Sequence, residues 1–100
     1  MPGVSRRYRL SPGARADLED IWRYTAERWS IEQADRYHNA LIDDIESLVG
    51  TAHRGIAIDH IRPGYHRLAI RSHVAFYRQT ESAIEIVRIL HQRMDFSRHL

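Results

Sequence analysis

The sequence predicts an α+β fold. It reads as a short N-terminal strand, an antiparallel helical hairpin packed on a small antiparallel β-sheet and a short C-terminal tail, in one domain spanning residues 1–100. Three observations predict it. Apolar residues recur with the helical period of about 3.6 from Ala14 to Leu48. After Gly55 the period changes to 2. The connections between the alternating runs are short, which makes neighbouring strands antiparallel. A chain of 100 residues builds one modest core and has no room for a second domain.

Tyr8 to Leu10 reads as the first strand. Ser11-Pro12 then supplies a helix cap followed by proline at the first helical position. Ala14, Leu18, Ile21, Trp22, Thr25 and Trp29 fall on one face of this helix. Asp17, Glu19 and Asp20 lie near the positive end of its dipole, and Glu19 and Arg23 have the spacing of an ion pair. Ser30-Ile31-Glu32-Gln33 has the pattern of a capping box, so a second helix starts at once and folds back on the first. Its inward residues are Ala34, Tyr37, Leu41, Ile45 and Leu48, Glu32 and Arg36 pair across one turn, and Gly50 is placed to end it. Ile56 to Ile61 is a weak strand ended by the turn Arg62-Pro63-Gly64. Tyr65 to Ile70, a tight connection at Arg71-Ser72, His73 to Arg78, a turn from Gln79 to Ser82 and Ala83 to His91 complete the sheet. Met94 to Leu100 reads as a short helical turn or a disordered tail.

The last strand is apolar on both parities. Regular alternation puts Ile84, Ile86 and Leu90 on one face and Val87 and Ile89 on the other. The helical hairpin covers one face. At roughly 25 cal/mol per Å², a wet second face forgoes a few kcal/mol. Either a bound peptide or second subunit covers it, or sheet twist and the C-terminal segment do.

Composition narrows the function classes. The apolar fraction is 43% and the charged fraction 28%, values of an ordinary globular domain, with no apolar run long enough to span a bilayer. Basic residues near the N-terminus are followed by no apolar stretch, so no secretory signal is expected. Without cysteine there is neither disulfide nor thiolate chemistry, in keeping with a cytoplasmic location. The net charge of +2 conceals an asymmetry. Residues 1–50 carry seven arginines against nine acids, and residues 51–100 carry eight against four. All fifteen Lys-plus-Arg positions are arginine, whose planar fork suits carboxylates and phosphates; a genome-wide codon bias explains this as well as a partly acidic partner, peptide or nucleic acid, does. No nucleophile elbow, phosphate loop or zinc-protease motif is present, and the histidines have no compact ligand spacing, so neither metal nor cofactor is expected.

One constellation could carry chemistry. Arg67, His73, Arg78, Arg88 and His91 lie on the strands with Tyr65 and Tyr77 between them. Arginine can stabilise a pentacovalent phosphate while His or Tyr moves protons, as in a metal-free ribonuclease. The same residues also suit a solvated edge whose arginines pair with Glu81, Glu85, Asp95 or a partner's carboxylates. Alternation puts Arg88 and His91 on opposite faces unless a bulge intervenes.

Several strings resemble the ParE toxins of bacterial type II toxin-antitoxin systems, within the RelE/ParE superfamily. They are YRLSPGARADLEDIWRYTAERW, QADRYHNALIDDIESL, IRPGYHRLAIRSHVAFYR and IEIVRILHQRMD, and together they span nearly the whole chain. The most specific patterns are SPxAxxDLxxIWxYT, RPGYHRL and RILHxRMD. The resemblance implies a toxin that is not an enzyme. It would trap the cleaved DNA complex of DNA gyrase and be neutralised, in a hetero-oligomer, by a ParD-type antitoxin whose C-terminal segment wraps it. No membrane association and no sequence-specific nucleic-acid binding are implied. Antitoxin contacts are expected at Trp22, Leu41, Ile45, Ile84, Ile86, Val87 and Arg88. A target-facing surface is expected at Arg67, His73, Arg78, His91, Arg93 and Arg98.

The alternative within the superfamily is a RelE-like endonuclease that cuts mRNA on the ribosome, using Arg67 and His91. The sequence departs from that pattern. His91 is followed by Gln92-Arg93-Met94 with no aromatic residue, and the chain has no lysine.

Overall fold

A computed structural model describes residues 7–49 and 55–100. Gly50, expected to end the second helix, lies outside them, as does His53. The elements in chain order are β1 (Arg7–Leu10), α1 (Pro12–Arg28), α2 (Ile31–Val49), β2 (Ile56–Ala57), β3 (Tyr65–Ile70), β4 (His73–Gln79), β5 (Ala83–His91) and a 3-10 turn (Phe96–Arg98). The strands form one sheet in the order β1-β5-β4-β3-β2, with the two helices on one face.

Local chemistry sets the helix starts. The Ser11 hydroxyl accepts from the Ala14 N–H at 3.0 Å and donates to the Val87 carbonyl at 2.6 Å, capping α1 and fastening it to β5. The Ser30 hydroxyl accepts from the Gln33 N–H at 3.0 Å, half of the expected capping box. The Gln33 amide turns outward and accepts from Arg36, so Arg36 is not paired with Glu32, and Arg23 pairs with Asp20 rather than Glu19.

Two differences from the sequence expectation reshape the sheet. β1 runs parallel to β5, pairing Tyr8 with Ile84 and Leu10 with Ile86, because the whole helical layer intervenes between them along the chain. The sheet is therefore mixed. β2 is only two residues long, since the chain turns at Ile58, whose carbonyl accepts from the N–H groups of Ile61 and Arg62.

A bulge in β5 decides which side chains face the helices. Tyr77 pairs with Ile86 and Phe76 with Arg88, leaving Val87 as the extra residue. Ile84, Ile86 and, beyond the bulge, Ile89 join Leu18, Leu41, Ile45, Leu48 and Tyr77 in the main core. Leu90 lies with Phe76 and Ile58 in a second core on the opposite face. Ile89 and Leu90 are thus exchanged relative to regular alternation. The second core is covered by the protein's own segments, with Ile61, Tyr65, Phe96 and Leu100 packed against it.

Past Leu10, β5 has no strand neighbour on the β1 side, and α1 takes its place. Asp17, 9% exposed, accepts from the Ile89 N–H and from Arg88 Nε and Nη2, each at 2.8 Å. The approach is close enough that a Cβ on Gly13 would lie 3.0 Å from Arg88 Cδ. On the second helix, Tyr37 docks the β3–β4 hairpin. Its hydroxyl accepts from the Ser72 N–H at 3.3 Å and lies 2.8 Å from His73 Nδ1. Arg71, at the left-handed φ of 64°, reaches Asp44 at 3.1 Å. We assign the phenol proton to Nδ1, which requires a neutral His73 ring.

Asp17→Ala strands a half-buried guanidinium and an unpaired edge N–H, and should cost about 2–3 kcal/mol in urea unfolding. Asp17→Asn keeps an acceptor for Ile89 and should cost about half as much. Burial, then the neighbouring His91, lowers the His73 pKa from 6.5 to about 4, with Asp17 opposing. The unfolded chain takes up this proton first. The stability due to neutral His73 is therefore complete above pH 6.5 and lost as pH falls through the window down to about 4. Urea midpoints measured across that window should fall further for the unmodified chain than for His73→Asn.

Candidate functional site

Beyond Asp17 the first helix and the end of β5 diverge. They leave a groove of about 740 Å³ between α1, the start of α2 and the β4–β5 end of the sheet, a volume typical of binding sites. Asp17, Tyr24 and Arg28 are spaced seven and four residues apart, which puts them on one flank of α1, facing this groove. Tyr24 is 59% exposed, with the Arg28 guanidinium 5.8 Å above its ring. Trp29, at the corner between the helices, is 70% exposed, and Met94, just after β5, is 41% exposed. Three large apolar side chains thus stand in solvent around one concavity.

The groove's polar wall comes from paired strand ends. His73 and His91 are cross-strand partners with ring centroids 5.3 Å apart, edge to face. His91 Nδ1 accepts from the Arg93 N–H at 3.2 Å, which fixes its ring. Arg88 lies beside them, its guanidinium held by Asp17 and donating to the His99 carbonyl at 3.2 Å. Two imidazoles and a neutralised guanidinium can donate and accept hydrogen bonds to a partner. Among the described residues no group of three or more His, Asp or Glu could hold a metal ion, and no helix is long and apolar enough to cross a membrane.

The residues expected to face a target do not converge. His73 and His91 line the groove. Arg67 pairs across the sheet with Phe76, and its guanidinium lies 5.9 Å from the ring of Phe96, on the face away from the helices. Arg78 is held at 2.7 Å by Glu85, as the solvated-edge reading expected. Arg93 is exposed past the end of β5, and Arg98 is exposed in the tail, 3.6 Å from Asp95. Arg67 and His91 therefore belong to separate surfaces.

The expected antitoxin contacts divide differently. Leu41, Ile45, Ile84 and Ile86 are at most 2% exposed, covered by this chain's own helices and sheet, so they hold the fold and present nothing to a partner. Their apolar spacing marks an inward face without saying what lies against it. Trp22, Val87 and Arg88 keep partial exposure, Trp22 with its indole N–H donating to Asp35 at 2.8 Å. Trp29, expected on the packed face of the first helix, stands instead with Tyr24 on the exposed rim of the groove. The signal was Tyr24's place with Asp17 and Arg28, off the Ala14–Leu18–Ile21–Thr25 stripe.

With this geometry in view, comparison with known proteins is specific. A family model described as the ParE toxin of the type II toxin-antitoxin system parDE matches residues 8–96. Toxin ParE1 of Mycobacterium tuberculosis (strain H37Rv) is 48% identical over 98 residues, covering 97% of this chain and 100% of the relative. Toxin ParE1 of Caulobacter vibrioides is 45% identical over 93 residues, covering 93% and 96%. Among solved structures, a chain described under the chromosomal ParDE TA system from P. aeruginosa shares the fold, with a TM-score of 0.77 at 21% identity and coverage of 89% and 98%. The match over almost the full length means that this chain belongs to the ParE toxin family of type II toxin-antitoxin systems.

Proposed function

We propose that this chain poisons DNA gyrase in the bacterial cytoplasm by trapping the enzyme's cleaved DNA complex, and that a ParD-type antitoxin neutralises it in a hetero-oligomer. The observation that carries this reading is the family match over residues 8–96. The separation of Arg67 from His91 supports it against the ribosome-dependent nuclease, which needs both at one phosphate. The toxin acts by binding, so no residue here is assigned a catalytic role.

We assign the antitoxin to the groove. Its rim of Tyr24, Trp29 and Met94 suits the apolar face of a docked segment, with Arg88 on its wall, whereas Trp22 lines a separate cavity with Arg15, Arg23 and Asp35 and does not belong to this groove. Burying one large apolar side chain contributes roughly 1.5–3 kcal/mol, so a few such contacts account for tight neutralisation.

Purified protein should abolish gyrase supercoiling and accumulate cleaved DNA while leaving mRNA intact in a ribosome assay, and His91→Ala should behave the same way. Cleavage of mRNA with unchanged gyrase would overturn the reading. In a separate measurement, Trp29→Ala should weaken antitoxin affinity by about tenfold or more in calorimetry. Because Trp29 packs little against its own chain, the thermal midpoint should stay where it was.

A further inference from the structure

Charge in this protein is sorted along the chain. Helices α1 and α2 carry nine carboxylates and four arginines, whereas residues 55–100 carry seven arginines and four carboxylates. The carboxylates of the second group are mostly engaged. Asp59 accepts from the Gly64 N–H at 2.7 Å, Glu85 holds Arg78, and Asp95 accepts from the N–H and hydroxyl of Ser97. The fourth, Glu81, lies at the β4–β5 turn.

Two arginines on the sheet side are held differently. The Arg62 guanidinium lies 5.7 Å from the centroid of Tyr65, and that of Arg67 lies 5.9 Å from the centroid of Phe96. Both rings pack against the second core, on the face away from the helices. Among the described residues neither arginine has a carboxylate at ion-pair distance. A guanidinium lying over a ring is oriented by it and keeps the N–H donors in its own plane for an acceptor. Arg98, its side chain 83% exposed, follows Phe96 in the same tail turn.

We infer that this face binds the phosphodiester backbone of nucleic acid without reading its sequence, with Arg62 and Arg67 as the phosphate contacts. Arg71 and Arg88 are paired with the helix carboxylates Asp44 and Asp17, so the arginines left for a polyanion are on the sheet side, while the surplus of carboxylates on the helices repels it and orients the complex. An acidic peptide fits the observations less well. It needs apolar pockets for its side chains, and the large apolar groove lies on the helix side, whereas a phosphate backbone needs only oriented donors and positive potential. Such binding is independent of which enzyme the toxin targets.

The test is fluorescence anisotropy of the full chain with labelled duplexes of about 20 base pairs, in two unrelated sequences and at several salt concentrations. Equal binding to both sequences is expected at low salt. Arg62→Gln/Arg67→Gln should weaken it about tenfold or more and reduce the slope of log K against log salt by about 2, near 0.9 per lost phosphate contact. Arg23→Gln/Arg36→Gln, an equal charge loss on the helices, should bind like the parent. Should the glutamine pair lower the thermal midpoint, Arg62→Lys/Arg67→Lys keeps the charges and should retain binding. Amide shifts on adding duplex should centre on Tyr65–Leu68 and Phe96–Arg98. The inference is overturned if the parent chain does not bind, if the glutamine pair binds as the parent does, or if the lysine pair loses binding equally. It also falls if the shifts centre on the helices, or if poly-glutamate displaces DNA as well as unlabelled duplex does.

Discussion

The Asp17 carboxylate is the constraint on which the arrangement turns. Where β1 ends at Leu10, β5 would otherwise offer an unpaired edge to α1. One side chain from the second turn of α1 supplies what the missing strand would have given, an acceptor for the Ile89 N–H, and at the same time neutralises Arg88 bidentately. A buried ion pair is weak evidence for stability in itself, because desolvating both charges offsets much of their attraction. Its strength here lies in position. It fixes the rotation and height of α1 against the sheet, and hence where Tyr24 and Arg28, farther along the same flank, come to stand. Ser11 supplies the second point of attachment, since its hydroxyl joins the helix start to Val87. Two polar fixings, one at the bulge residue Val87 and one just beyond it at Ile89, set a helix whose apolar contacts alone would allow it to slide.

The bulge and the tail solve one problem together. A strand that is apolar on both parities needs two covers, and this chain makes them from unequal material. The helical face is covered by two long helices and closed by Leu41, Ile45, Leu48 and Tyr77. The other face is covered by the turn after β2 and by the tail, with Phe96 stacked 5.0 Å from Phe76. The extra residue at Val87 turns Ile89 inward to the helices and Leu90 outward to the tail, so each cover receives an anchor.

Most of the elements were legible in the sequence because their causes are local. Ser11-Pro12 and Ser30 start helices through hydrogen bonds spanning three residues, and a period of 2 needs only neighbours to be seen. What was not legible is non-local. The parallel pairing of β1 with β5 and the bond between Asp17 and Ile89 join residues more than 70 apart, the register shift at Val87 depends on the facing strand, and no periodicity records any of them. Asp17 therefore read as a dipole charge. The candidate site shows the same division. His73, His91 and Arg88 were recognised as chemically notable, and the structure does gather them in one groove. Arg67 was grouped with them through its strand, and cross-strand pairing puts it with Phe76 on the opposite face. Leu41, Ile45, Ile84 and Ile86 are buried in the chain's own core, and inward apolar spacing could not say so, since a core face and an interface face have the same period.

Arg88 joins the two covers that the bulge separates. Its Nε and Nη2 hold Asp17 on the helical side, and its Nη1 reaches the His99 carbonyl in the tail. The two attachments are unequal. The first is a bidentate, charge-assisted pair in a nearly buried setting, and the second is one longer bond to an exposed carbonyl. A partner that drew the tail off the second core would break the His99 bond and the Phe96–Phe76 contact while leaving Asp17, α1 and the groove in place. A partner filling the groove would press against the stronger attachment and meet the tail only at Met94. The helix-side groove and the sheet-side basic face are thus mechanically separate surfaces of one small domain, and a single guanidinium marks the boundary between them.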